Sequence, residues 1–104
     1  MDLYTAETVK ASLAPKWDAY YAKLAIGQPP NWNCNQQGKE LFCLAQWIMD
    51  ELIALNCPDE DRRDVQNSFN RKARAENDLY EVAARAMNTF IEGKIERVRR
   101  RPRV

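Results

Sequence analysis

The sequence predicts an all-α protein: a compact bundle of four or five helices around one buried central helix, with a long C-terminal helix that ends in a basic tail. Three observations lead there. Apolar residues recur at helical spacing through most of the 104 residues. The five prolines and three glycines punctuate the chain at a few boundaries instead of scattering through it. One run, Leu41 to Leu55, is apolar nearly all round, as in a helix surrounded by protein.

Residues 5 to 26 read as helix, with Val9 and Leu13 on one stripe before Pro15. Proline cannot continue an internal hydrogen-bond ladder, so Pro15 either kinks this segment or starts a second helix. Beyond it Trp17, Tyr20, Tyr21, Leu24 and Ala25 form a one-sided stripe, and Gly27 fits a left-handed cap. Residues 27–38 follow as a long loop of two prolines, two glycines, six amide side chains and Trp32. Long loops in small domains are often functional. Trp32 either folds back to pin this loop or, with Asn33, offers an indole-and-amide surface to a partner.

The central helix is expected at about residues 39–56. At 100° per residue it carries three apolar faces: Leu41, Ala45, Ile48, Leu52 and Leu55; Phe42, Met49 and Ile53; and Cys43, Trp47 and Ala54. Either the other helices wrap it or a second copy covers one face. A buried Glu51 would need a cationic partner, because an unpaired carboxylate costs several kcal/mol. Pro58 fits the first position of the next helix, with Asp59, Glu60 and Asp61 complementing its dipole. That helix has a narrow apolar face of Val65, Phe69 and Ala73, so it belongs on the surface. Asn77-Asp78 marks a break or cap, unless one long helix runs through it. The last helix carries Tyr80, Ala84, Met87, Ile91, Ile95 and Val98 on one stripe, with Glu81–Arg85 and Glu96–Arg100 as favourable i, i+4 pairs. The domain is expected to span residues 1–98, with 99–104 as a basic tail.

Composition bounds the chemistry. Hydrophobic residues are 45% and charged residues 30% of the chain, which excludes wholesale disorder. Histidine is absent, and with it the commonest general base and metal ligand. No Gly-rich phosphate loop or nucleophile elbow is present. Asp50 and Glu51 are neighbours in sequence and point about 100° apart on a helix, so they cannot share one site. No catalytic residues and no cofactor are expected. The cysteines, Cys34, Cys43 and Cys57, are odd in number and widely spaced, which argues for reduced thiols and against a zinc site. No secretory signal or membrane-length apolar run is seen, so a soluble, cytoplasmic protein without membrane contact is expected.

Charge is the strongest functional signal. Residues 1–60 carry net −4 and residues 61–104 net +5, together the +1 of the whole chain. Residues 94–104 alone hold six basic groups against one acid. Arginine forks onto carboxylates and phosphates alike. The leading expectation is therefore a small non-enzymatic interaction protein, regulatory or scaffolding, that forms a homodimer. It would dock on an acidic protein partner through Arg97, Arg99, Arg100, Arg101 and Arg103, with Trp32 and Asn33 as a second contact region. The alternative is a nucleic-acid-associated protein whose same tail meets phosphates. No zinc-finger spacing or helix-turn-helix boundary supports that alternative.

Overall fold

The computed structural model describes the backbone of residues 3–100 and the side chains of residues 3–93. Among the described residues there is no strand. The helices are α1 (Ala6–Leu13), α2 (Trp17–Ala25), α3 (Gln36–Ala54), α4 (Asp59–Ala73) and α5 (Leu79–Arg100). The all-α class is as read from the sequence. A single 3-10 turn at Ala14–Lys16 joins α1 to α2, so Pro15 breaks one helical segment and four segments build the bundle.

Local chemistry sets each boundary. Thr5 opens α1: its hydroxyl accepts from the Thr8 N–H at 3.2 Å, and the Thr8 hydroxyl accepts from the Thr5 N–H at 2.8 Å. That reciprocal cap satisfies two donors which the first turn would otherwise leave unpaired. Gly27 follows α2 with φ at 82°, the left-handed conformation that only glycine adopts without steric cost.

Helix α3 begins at Gln36, three residues before the expected start, so the loop is correspondingly shorter. Asn35 is the cause, since its Oδ1 accepts from the Gly38 N–H at 2.7 Å. Gly38, expected in the loop, is instead the third residue of the helix. A Cβ there would stand 2.7 Å from Cys34 Sγ, so the close approach of the loop calls for glycine. Asn35→Ala should lower stability by about 1 kcal/mol, while Asn35→Asp should keep most of the cap. Urea midpoints test this, and identical midpoints for all three proteins would rule it out.

The far end of α3 closes earlier than expected, at Ala54. Asn56 takes a left-handed φ of 57°. Its N–H donates to the Ile53 carbonyl and the Cys57 N–H to the Leu52 carbonyl, both at 3.0 Å. This is a Schellman closure with asparagine in place of the usual glycine. Pro58 stands one residue ahead of α4, not inside its first turn as expected. The three acids of that turn are as read. Between α4 and α5 the chain breaks at residues 74–78, and Asp78 caps α5 by accepting from Tyr80 N–H at 3.1 Å and Glu81 N–H at 3.2 Å. One long continuous helix is excluded.

Cross-helix contacts give the directions. Tyr4, just ahead of α1, reaches Glu51 near the end of α3 and Asn88 in α5. Lys10, later in α1, lies over the Tyr80 ring at the start of α5. Helix α1 is therefore antiparallel to both α3 and α5. Helix α4 is antiparallel to the same pair: Ala73 shares a cleft with Gly38 and Leu79, and Asp61 shares one with Gly93. The parallel pair α3 and α5 is thus flanked by α1 and α4. Helix α2 packs on α3 from outside, and Trp17 at its start shares a cleft with Gln36 at the start of α3.

The core at the centre of this arrangement includes Val9, Leu13, Leu44, Trp47, Ile48, Leu52, Phe69 and Met87, each at most 1% exposed. Cys43 and Cys57 belong to it as small apolar residues. No helix among the described residues is long and apolar enough to cross a membrane.

Candidate interaction surface

The central helix is wrapped on most of its circumference. Its buried residues Cys43, Leu44, Trp47, Ile48 and Leu52 spread across about 180° at 100° per residue. They meet α1, α4 and α5. The face carrying Phe42, Met49 and Ile53 is different. These three fall within about 40° of one another, and none belongs to the buried core. Phe42 and Met49 are half-buried and Ile53 is 52% exposed. Helix α4 borders the stripe on one side, where Gln66 Nε2 donates to the Ala45 carbonyl at 2.8 Å. Helix α2 borders it on the other, where the Tyr20 hydroxyl donates to Asp50 Oδ2 at 2.6 Å. Ile26, 77% exposed, stands at the end of α2.

An aromatic shelf lies beyond this border. The loop returns the chain to the start of α3, turning where the Trp32 N–H donates to the Pro29 carbonyl at 2.9 Å. Trp32 then stacks on Tyr21 with ring centroids 6.5 Å apart and planes 28° off parallel. Lys39 Nζ lies 5.1 Å from the Tyr21 centroid, a favourable cation–π distance. Trp32 is half-buried and so pins the loop, while Asn33 beside it is exposed. Of the expected docking arginines, Arg97, Arg99, Arg100, Arg101 and Arg103 lie outside the residues whose side chains are described. The arginines at the start of α4 are engaged locally: Arg62 and Arg63 both pair with Asp59, at 2.8 and 3.2 Å. Arg85 pairs with Glu76 and Glu81.

The two adjacent carboxylates of α3 serve separate tyrosines. Asp50 takes Tyr20, and half-buried Glu51 takes the Tyr4 hydroxyl at 3.1 Å. Glu51 is not fully buried, so the condition under which it would need a cationic partner does not arise, and a neutral donor suffices for a group only partly withdrawn from water. Trp17, Tyr21 and Trp47 do not converge on a common pocket beside Asp50 and Glu51. Trp47 is fully buried and donates to Ser12 Oγ at 2.9 Å, whereas Tyr21 lies under Trp32.

Burial, then the negative Glu51 beside it, pushes the Tyr4 phenol up to about 12. Burial and Asp50 raise Tyr20 further, and burial alone lifts the Cys43 thiol to about 11. The unfolded chain ionises its tyrosines near pH 10. Each raised tyrosine therefore binds its proton longer in the folded state, and its stabilising share is complete below pH 10 and lost as pH climbs from 10 through 12. The smaller Cys43 share starts to fall from about pH 9, where the unfolded thiol ionises. Thermal unfolding between pH 9 and 12 should show a steep fall beginning near 10, shallower in Tyr4→Phe. A melting temperature flat to pH 12 would contradict this assignment.

The remaining concavities are shallow. One of about 260 Å³ lies between α4 and α5, lined in part by Asp61, Asp64, Val65 and Phe90. Another, of about 330 Å³, has Lys10, Trp17 and Tyr80 in its wall. Among the described residues no group of three or more acids and cysteines stands close enough to hold a metal ion.

Sequence reasoning missed the N-terminal contact entirely. Asn88, buried on one side, holds both backbone polar groups of Tyr4. The available signal was Asn88 itself, a poor helix former in the middle of a strong helix. Compared with known proteins, the chain matches no family model, no curated protein and no solved structure.

Proposed function

We propose that this chain is a small, non-enzymatic cytoplasmic interaction protein that forms a homodimer and regulates or scaffolds a larger partner. The single observation that carries the reading is the Phe42–Met49–Ile53 stripe on the outer face of α3. It is an apolar line on the helix most deeply set in the core, left accessible between α2 and α4. Its backbone is held rigidly by the buried opposite face, so docking there orders little that is not already ordered. A stable interface covers about 800 Å² per partner, more than three side chains expose. The contact therefore extends over Gln46 and Lys39 toward the Tyr21–Trp32 shelf and Asn33. A two-fold dimer sets each stripe against its own copy.

The Arg-rich segment 94–104 then meets the larger partner, an acidic protein surface, through forked arginine–carboxylate pairs. The local pairing of Arg62 and Arg63 with Asp59 favours this over a phosphate backbone, because the two arginines that open α4 are already held by an acid. Sedimentation at micromolar concentration should give about 24 kDa, twice the 12.1 kDa chain. A clean monomer would refute the dimer. Titration with duplex and single-stranded nucleic acid across salt separates the tail's targets: a steep negative slope would replace the acidic protein with phosphate.

A further inference from the structure

Tyr4 precedes the first helix, next to the extended cap residue Thr5, yet three side chains from α3 and α5 hold it. Asn88 Oδ1 accepts from the Tyr4 N–H at 2.6 Å, and Asn88 Nδ2 donates to the Tyr4 carbonyl at 2.8 Å. One side-chain amide that pairs with both backbone groups of one residue reads an extended strand regardless of its sequence. The side chain is read separately. Its ring meets Trp47 edge-on, with centroids 5.5 Å apart and planes at 88°, and its hydroxyl donates to Glu51. Leu3 alongside is 53% exposed and adds little hold of its own.

We propose that Asn88, Glu51 and Trp47 form a recognition site for an extended peptide segment carrying a tyrosine, closed here by the chain's own residues 3–5. The amide supplies sequence-independent grip, and the ring seat with its carboxylate selects a phenol. The partner it fits is a protein with an exposed, unstructured tyrosine segment. Glu51 and Trp47 lie on the opposite side of α3 from Phe42, Met49 and Ile53. The site is therefore independent of the dimer stripe, and either can fail without the other.

A tethered occupant acts at millimolar effective concentration, so a free peptide competes well only once the tether's hold is weakened. The test titrates the acetylated, amidated peptide Asp-Leu-Tyr-Thr-Ala-Glu into full-length wild type and Tyr4→Gly. Binding is followed by nuclear magnetic resonance on the Asn88 side-chain amide and the Trp47 indole N–H. Tyr4→Gly should bind at least tenfold more tightly than wild type. The same peptide with phenylalanine for tyrosine should bind more weakly, and Asn88→Ala in the Tyr4→Gly background should abolish binding. Equal affinity in wild type and Tyr4→Gly, binding indifferent to Asn88→Ala, or no binding up to millimolar peptide would each overturn the proposal. If Tyr4→Gly loses the native spectrum, Tyr4→Phe decides. It keeps the ring on Trp47, and peptide affinity above wild type supports the site while equality overturns it.

Discussion

Ile53→Asp should turn the proposed 24 kDa dimer into a 12 kDa monomer at micromolar concentration and leave the helical spectrum intact. In the monomer the side chain is half in water, so its loss removes little from the core. A carboxylate near the end of α3 opposes the helix dipole by about 0.3–1 kcal/mol, small against a folding free energy of about 5–15 kcal/mol. In the dimer the balance reverses. A two-fold contact brings each substitution in twice, and a carboxylate withdrawn from water without a partner costs several kcal/mol. Every 1.4 kcal/mol is tenfold in affinity, so weakening of a hundredfold or more follows. Ile53→Lys carries the opposite charge, suits the end of the helix, and should also dissociate the dimer if apolar burial holds it. Sedimentation of both variants decides the matter. An unchanged mass in Ile53→Asp would place the contact elsewhere, and loss in only one of the two would make it electrostatic.

The sequence made the buried half of this surface readable, but not its exposed half. Helical spacing assigns Ile48, Leu52, Phe69 and Met87 inward because period and hydrophobicity agree there, but it leaves fully buried Leu44 on none of the faces read from the sequence. It also shows that α3 has more apolar surface than one side needs. It cannot say which face its neighbours leave open, since that depends on where α2 and α4 pack. Those positions rest on long-range contacts such as Gln66 to the Ala45 carbonyl and Tyr20 to Asp50, which have no periodic signature.

The boundaries fail for a related reason. Asn35 sits among other polar residues, so its composition says loop, while its hydrogen bond makes it the cap that opens α3. Asn56 lies between Leu55 and Cys57, and helical spacing carries no sign that its backbone turns left-handed and closes the helix. The charge split is plain in sequence, but its structural meaning divides. Arg62, Arg63 and Arg85 are engaged by nearby acids, whereas Arg71, Lys72 and Arg74 at the end of α4 are exposed. The Tyr4 seat was the least legible feature, because it joins residues 84 positions apart through an amide that reads only backbone.

Trp47→Ala should produce the largest loss of stability of any single substitution in the chain, about 3–5 kcal/mol. The residue is the largest of the fully buried side chains. It also joins three elements: α3 by its backbone, α1 through Ser12 and the N-terminal segment through Tyr4. At about 4–8 °C per kcal/mol for a domain of this size, the melting temperature should fall by at least about 12 °C. Two milder variants separate the causes. Trp47→Phe keeps an aromatic body and removes the N–H together with the second ring, so Ser12 loses its donor in a half-buried position. Ser12→Ala keeps the packing and strands a buried indole N–H, at a cost of about 1–3 kcal/mol. The expected order is Trp47→Ala most damaging, with the other two well behind. A loss below about 1 kcal/mol for Trp47→Ala would mean that the core closes around the gap and that Trp47 does not anchor α1 to α3. The same variant probes the dimer. Because α3 carries both the buried indole and the outer stripe, association stabilises whichever copies stay folded. Raising protein concentration should therefore recover part of the lost melting temperature in Trp47→Ala but none in Trp47→Ala combined with Ile53→Asp.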